Sequence, residues 1–133
     1  MTKPIGANTP QDTDRQFIAA VNRGDVEAML EFYEPGGGLF LISTGQYTTS
    51  LAAMRAEFEG LLAMKPKLTI KELVVTMHDD ATLATSRMRV AMDATAPDGS
   101  AIHQEFHTLE VLRKQPDGTW RYAIDDPHGS ERG

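Results

Sequence analysis

His103, Glu105 and His107 alternate along one stretch of the chain. At the strand period of two they would project from one face, successive pairs about 7 Å apart at the Cα level. Two imidazoles and a carboxylate in that pattern could hold a divalent metal such as zinc, with an open position for water. The other reading is a set of partly exposed polar residues on a sheet surface or a subunit interface. Arg87 and Arg89 share a strand face with Thr85 and Asp93. They could anchor a substrate carboxylate, for which the guanidinium fork is well shaped, or form cross-strand ion pairs with Glu105 or His103. Asp125, Asp126 and His128 are acid and base candidates close together in sequence. A carboxylate there could orient a histidine that titrates near neutrality, or the three could form a solvated rim. Two chemistries lack their motifs. There is no Gly-x-Ser-x-Gly elbow for a serine nucleophile, and Gly36-Gly37-Gly38 is followed by neither a lysine nor a helix start that could cradle phosphate.

The chain that must position these residues has 133 of them, a length that fits one domain. Zero cysteines exclude disulfides, thiolate metal sites and a cysteine nucleophile. With 13 Lys and Arg against 19 Asp and Glu the formal net charge is −6, and no basic run occurs. Nucleic acid and anionic membranes, which are held by clustered positive charge, are therefore not expected as partners. The polar N-terminus, broken by Pro4, Gly6 and Pro10, has no apolar leader segment, and Leu39 to Ile42 is far too short to span a bilayer. The expectation is a cytoplasmic protein.

Periodicity divides the chain in two. Helical spacing starts near Asp14 with Phe17, Ile18 and Val21, capped by Thr13 or Asp14, and stops at Gly24. Asp25 caps a second helix with Val26, Met29, Leu30 and Tyr33 on one face, ended by Pro35 and its three glycines. Leu39 to Ser43 reads as a short buried strand and Gly45 to Thr49 as a polar loop. Ser50 then caps a third helix carrying Leu51, Met54, Phe58, Leu61 and Leu62 as far as Lys65-Pro66. Beyond Pro66 the period becomes two. Leu68 and Ile70 alternate in one phase and Leu73, Val75 and Met77 in the other, which predicts a bulge and bend near Lys71-Glu72. Strands follow over about 81–94, with Ala84, Ser86, Met88, Val90 and Met92 on one face, then about 100–114 and 119–126, separated by Pro-Asp-Gly turns. This is an α+β arrangement: an N-terminal arm over 1–13, one domain over 14–129 and a tail over 130–133.

Three stretches resemble the nuclear transport factor 2-like superfamily, which includes ketosteroid isomerase and the SnoaL-like polyketide cyclases. They are Asn22 to Asp25 before an apolar helix ending at Tyr33, the Gly36 to Gly45 strand and loop, and the closing run from Thr108 through Gly118-Thr119-Trp120-Arg121. The resemblance implies three helices packed in a strongly bent antiparallel sheet, a cone-shaped, cystatin-like α+β barrel with an apolar cavity. Met29, Met54, Met88 and Met92 would suit an adaptable lining or simple core packing. Matched to ketosteroid isomerase, the phenol position is Phe17 and the base position is Ile42, so that activity is not expected. The position of the acidic hydrogen-bond donor is Glu110, which would then face the cavity, unless it faces solvent or pairs with Arg113. By that parity His103, Glu105 and His107 lie on the opposite side, and no metal or cofactor is expected.

The resulting expectation is a protein that binds a small, largely apolar molecule through Phe17, Tyr33, Ile42, Met54, Phe58, Thr108 and Glu110. The alternatives are an isomerase, cyclase or hydrolase using Glu110 and Asp125 as acid and base, and a non-catalytic dimerisation module. Leu109 and Val111 on the outer face would leave an apolar patch, which points to a homodimer through the convex side of the sheet.

Overall fold

A computed structural model describes residues 8–131, so most of the expected N-terminal arm and the end of the tail lie outside the described residues. Helix α1 (Pro10–Asn22) begins four residues before the expected start, because Thr9 rather than Thr13 or Asp14 is its cap. The Thr9 side chain accepts from the Asp12 N–H, and Pro10 fits the first turn, where its missing N–H costs nothing. Thr13 and Asp14 are thereby carried to the buried side of the helix. Asp25 caps helix α2 (Val26–Glu31), and Ser50 caps α3 (Leu51–Ala63), both as expected.

Strand β1 (Tyr33–Phe40) overturns the reading of Tyr33 as helical and of Pro35 to Gly38 as a breaker. Its glycines answer close approach. A Cβ on Gly37 would lie 2.6 Å from the carbonyl oxygen of Tyr122, and one on Gly38 would run into the Tyr47 ring. β1 pairs antiparallel with β2 (Tyr47–Thr48), a two-residue strand inside the expected loop, and parallel with β7 (Trp120–Asp126). The sheet is therefore mixed, and it does not close into a barrel. Its order is β2-β1-β7, followed by Leu109–Lys114 (β6), Leu83–Thr95 (β4) and Lys67–Met77 (β3).

The segment from β3 to β7 is antiparallel throughout. β3 (Lys67–Met77) pairs with β4 (Leu83–Thr95), and the register slips by one residue between Ile70 and Glu72, where the parity switch places the bulge. The expected 100–114 strand is interrupted at Thr108, giving β5 (Ala101–His107) and β6 (Leu109–Lys114). Both pieces keep one register on β4. At the break the Met88 N–H donates to the Thr108 hydroxyl at 3.0 Å, while the Thr108 carbonyl accepts from the Ser130 hydroxyl at 2.6 Å.

The helices pack into the concave side. Asn22, at the end of α1, clips that helix to β3 by accepting from the Leu68 N–H at 2.7 Å and donating to the Leu68 carbonyl at 2.9 Å. Phe17 meets Phe32, Tyr33, Phe58 and Tyr122 edge to face, with ring centroids 5.6–6.1 Å apart. It packs against both clusters of buried apolar side chains, one around α2 and β7 and one around β4 and β5. Among the described residues no helix is long and apolar enough to cross a membrane.

Candidate functional site

Register builds the site. Ser86 on β4 faces Glu110 on β6, and Glu110 faces Asp125 on β7, so three polar side chains form one row across neighbouring strands. Leu39 of β1 continues it. In an antiparallel pair directly opposed residues share a face, with Cβ atoms about 5 Å apart. All four point toward the helices and are buried.

The row opens on a cavity of about 90 Å³. Phe17, Ile18 and Val21 of α1, Phe58 and Leu61 of α3, and Leu39, Leu68, Met88, Val90, Met92 and Phe106 of the sheet give it an apolar wall. Thr108, Glu110, Tyr122 and Asp125 form its polar patch, with Glu57, Ile42 and Pro127 completing the wall. Among the described residues no cationic side chain lines it. Glu57 also accepts from the Ser43 N–H at 3.0 Å and its hydroxyl at 2.6 Å, which ties the loop carrying Ile42 to α3.

Burial pushes the Glu110 carboxyl well above the usual range, and the neighbouring Asp125 and Asp14 charges push it further. Its Oε1 is enclosed and has no hydrogen-bond partner. Asp125 is raised to about 7, mainly by burial, against which the Tyr33 hydroxyl donates to its Oδ2. Asp14, on the buried face of α1, is raised to about 6 by burial despite hydrogen bonds from Ser86 and from Tyr122, the latter at 2.7 Å. Both tyrosines are held far above their usual range, first by burial and then by the carboxylate each one touches, so near neutral pH they stay protonated and donate to those carboxyls.

The arrangement has a chemical consequence. Two carboxyls placed side by side in a largely apolar wall cannot both ionise cheaply, so the pair retains a proton near neutral pH. A protonated carboxyl beside one that titrates near neutrality can give a hydrogen to an oxygen and take one elsewhere.

Of the expected lining residues, Phe17, Ile42, Phe58, Thr108 and Glu110 do face the cavity. Met54 does not: it is fully enclosed in the core, as is Met29, while Met88 and Met92 are on the wall. Tyr33 reaches the cavity only through its bond to Asp125. Arg113 pairs with Glu34 at 3.0 Å, so it is not the partner of Glu110.

The other candidate groups are not brought to the cavity. His103 meets Asp93 at 2.8 Å, and Arg89 bridges Glu72 and Glu105 at 2.8 and 3.4 Å, on the outer side of the sheet. Arg89 thus serves as a cross-strand ion pair rather than a carboxylate anchor. His128 packs its ring on Phe106, with centroids 5.2 Å apart, and pairs with Glu131. Among the described residues no group of three or more metal-capable side chains is placed to hold an ion.

Asp14, Ser86 and Tyr122 are the polar residues that sequence reasoning missed. One signal was present: Asp14, Phe17, Ile18 and Val21 fall at i, i+3, i+4 and i+7, which puts the aspartate on the apolar face of its own helix. Ser86 likewise sits in the run of alternating residues that faces inward.

A family model for the SnoaL-like domain matches residues 15–129. The chain belongs to the SnoaL-like family. No curated protein matches the sequence. Among solved structures, this SnoaL-like chain is similar to a candidate calcium/calmodulin-dependent protein kinase II association domain from Xanthomonas campestris, with 21% identity and a TM-score of 0.75 over 98% of this chain and 99% of that one. It is also similar to a ketosteroid isomerase-like protein from Erwinia carotovora atroseptica, with 19% identity and a TM-score of 0.72 over 87% and 89% of the two chains. A third is SalBIII, described as an epoxide hydrolase/cyclase-like enzyme in pyran ring formation in the polyether salinomycin, with 16% identity and a TM-score of 0.64 over 87% and 86%. At these identities the likeness establishes the fold, a nuclear transport factor 2-like architecture of cystatin-like type.

Proposed function

We propose that the cone binds a small, largely apolar, uncharged molecule through one oxygen that accepts a hydrogen bond, and that Glu110 is the donor. The observation that carries this reading is the Glu110–Asp125 pair in a largely apolar wall that, among the described residues, has no cation. An anionic ligand would meet the carboxyls of Asp125 and Glu57 with no cation on the wall to offset them, and repulsion would exclude it. Met88 and Met92 supply the adaptable part of the wall.

The test uses two probes of one shape. Cyclohexanone carries an acceptor oxygen, and methylenecyclohexane has a CH₂ group in its place. Titrated into the full chain and followed at the Met88 and Met92 methyl resonances, the ketone is expected to bind at least about tenfold more tightly, a difference of about 1.4 kcal/mol. Equal binding of both would contradict the assigned role of Glu110, and no shift at either methyl would contradict the cone as a site for this class.

A second reading, acid–base catalysis of the isomerase, cyclase or hydrolase kind, is favoured by Asp125 being raised to about 7 beside a protonated neighbour. Both halves of a proton transfer then coexist near neutral pH: Glu110 protonates the bound oxygen while the Asp125 carboxylate accepts a proton from carbon or water. The convex face, where half-buried Leu109 and Val111 lie beside exposed Leu83 and Ile124, is the surface we assign to a second copy of the chain in a homodimer.

A further inference from the structure

Asp14 does not line the cavity, yet it is fully buried one step behind the carboxyl row. Its Oδ1 accepts the Tyr122 hydroxyl and its Oδ2 the Ser86 hydroxyl. Each hydroxyl has one hydrogen to give, so a carboxyl accepting both has its two oxygens filled as acceptors. That arrangement suits a carboxylate. It also fixes the direction of the next contact: Ser86 has spent its hydrogen on Asp14 and toward Glu110, its register partner, it can only accept. In the ligand-free chain a hydrogen bond between Ser86 and Glu110 therefore takes its hydrogen from Glu110, and a bound oxygen accepts that same hydrogen in place of Ser86.

We propose that Asp14 is a positioning residue for the Glu110–Asp125 pair: its carboxylate, held by Tyr122 and Ser86, keeps a proton on the pair, and that proton is what the cavity offers a ligand. The effect is both electrostatic and directional. The negative charge that Asp14 carries above about pH 6 disfavours a second one on the row, and the Ser86 hydroxyl is left facing Glu110 as an acceptor. The other ionisable groups facing this assembly are Tyr33 from β1, Tyr122 and Asp126 from β7, Glu57 from α3 at the cavity wall, and Arg15 of α1, which acts on Asp14. Among those facing the row itself, none brings positive charge to offset Asp14.

This inference rests on Glu110 being the donor of the proposed binding site, but it is tested without any ligand. The full chain, labelled at the side-chain carboxyl carbons, is titrated by NMR as wild type, Asp14→Asn, Ser86→Ala and Ser86→Thr. In Asp14→Asn the Glu110 and Asp125 titrations are expected to move to lower pH by at least about half a unit. Ser86→Ala removes no charge and is expected to move Glu110 the same way, because it removes an acceptor that favours the protonated form. A Ser86 that donated to Glu110 would give the opposite sign. Ser86→Thr, which keeps the hydroxyl, is expected to restore the wild-type curve. A role confined to packing would lower Tm and leave the titrations in place. Unmoved titrations in Asp14→Asn, or an upward shift of Glu110 in Ser86→Ala, would overturn the proposal. Should Asp14→Asn fail to fold, the sign in Ser86→Ala still decides. Cyclohexanone binding by the wild-type chain keeps the two readings apart: shifted titrations without ketone binding contradict the binding site and leave the role of Asp14 standing, while ketone binding with unmoved titrations does the reverse.

Discussion

Glu110 and Asp125 face each other as register partners on β6 and β7, both buried, with the Tyr33 hydroxyl on Asp125 and no hydrogen-bond partner on Glu110 Oε1. A pair of carboxyls in that setting is costly unless it keeps a proton. The arrangement uses ordinary antiparallel pairing to place an acid next to a base in an apolar wall.

Stability should fall as pH rises through neutrality. The carboxyls of Asp14, Glu110 and Asp125 all bind their protons more tightly in the folded chain, burial being the first cause for each. A group raised in the native state stabilises fully below its unfolded value and loses that contribution as pH climbs through the folded one. For Asp125 the window runs from the ordinary aspartate value of 3.8 to about 7, and for Asp14 from 3.8 to about 6. Thermal unfolding between pH 5 and 8 should show Tm dropping toward pH 8, and Asp125→Asn should flatten the slope. A Tm that rises over this range would contradict the assignment.

Glu110→Gln keeps shape and a hydrogen-bond donor but removes the acid. Cyclohexanone affinity should change by less than about tenfold, that is, less than about 1.4 kcal/mol. Any proton-transfer activity of the wild-type chain should be lost. Calorimetric titration of the variant checks the first, and turnover with the substrate of that activity checks the second.

Ketosteroid isomerisation should not proceed at the rate of a dedicated isomerase. Phe17 and Ile42 occupy the positions matching that enzyme's phenol and base, and both put only carbon on the cavity wall. Loss of one oxyanion donor alone typically costs about 10²–10³ in rate. A steady-state assay with a 3-oxo-Δ5-steroid at enzyme-like turnover would show the matching to be wrong.

Two glycines should respond oppositely to alanine. Gly37→Ala pushes a methyl within 2.6 Å of the Tyr122 carbonyl, where backbone must shift, and should destabilise by about 1–3 kcal/mol. Gly60 sits on α3 with nothing within 4 Å of an added Cβ, so Gly60→Ala should stabilise by up to about 1 kcal/mol. Urea unfolding of the two variants gives both signs.

How legible the molecule was depends on whether a signal is local. The bulge at Lys71, the inward face of Ala84 to Met92 and the caps Asp25 and Ser50 follow from spacing within a few residues. β1 was misread because a Pro-Gly-Gly-Gly run is locally a breaker, and its need for glycine comes from Tyr122 and Tyr47 arriving from elsewhere in the chain. Asp14 resembles a cap for the same reason, since only distant residues reveal its burial. What makes its burial tolerable lies 72 and 108 residues away, at Ser86 and Tyr122. Glu110 was reached through resemblance, whereas its pairing with Asp125 required the register.

Sedimentation velocity at micromolar concentration should give the mass of two chains if Leu109, Val111 and Ile124 are covered by a second copy. Ile124→Asp, on a residue 41% exposed in the single chain, should then yield the monomer with the fold retained. A wild-type monomer would contradict the interface.

The most direct test of the central claim is the titration of Glu110 in the ligand-free wild-type chain, read at its carboxyl carbon. A midpoint well above the ordinary glutamate value of about 4.3 is expected, with Asp125 changing near pH 7 in the same series. A Glu110 that titrates at or below its ordinary value would mean a charged, solvated or ion-paired carboxylate, and the cavity would then offer no acid to a ligand.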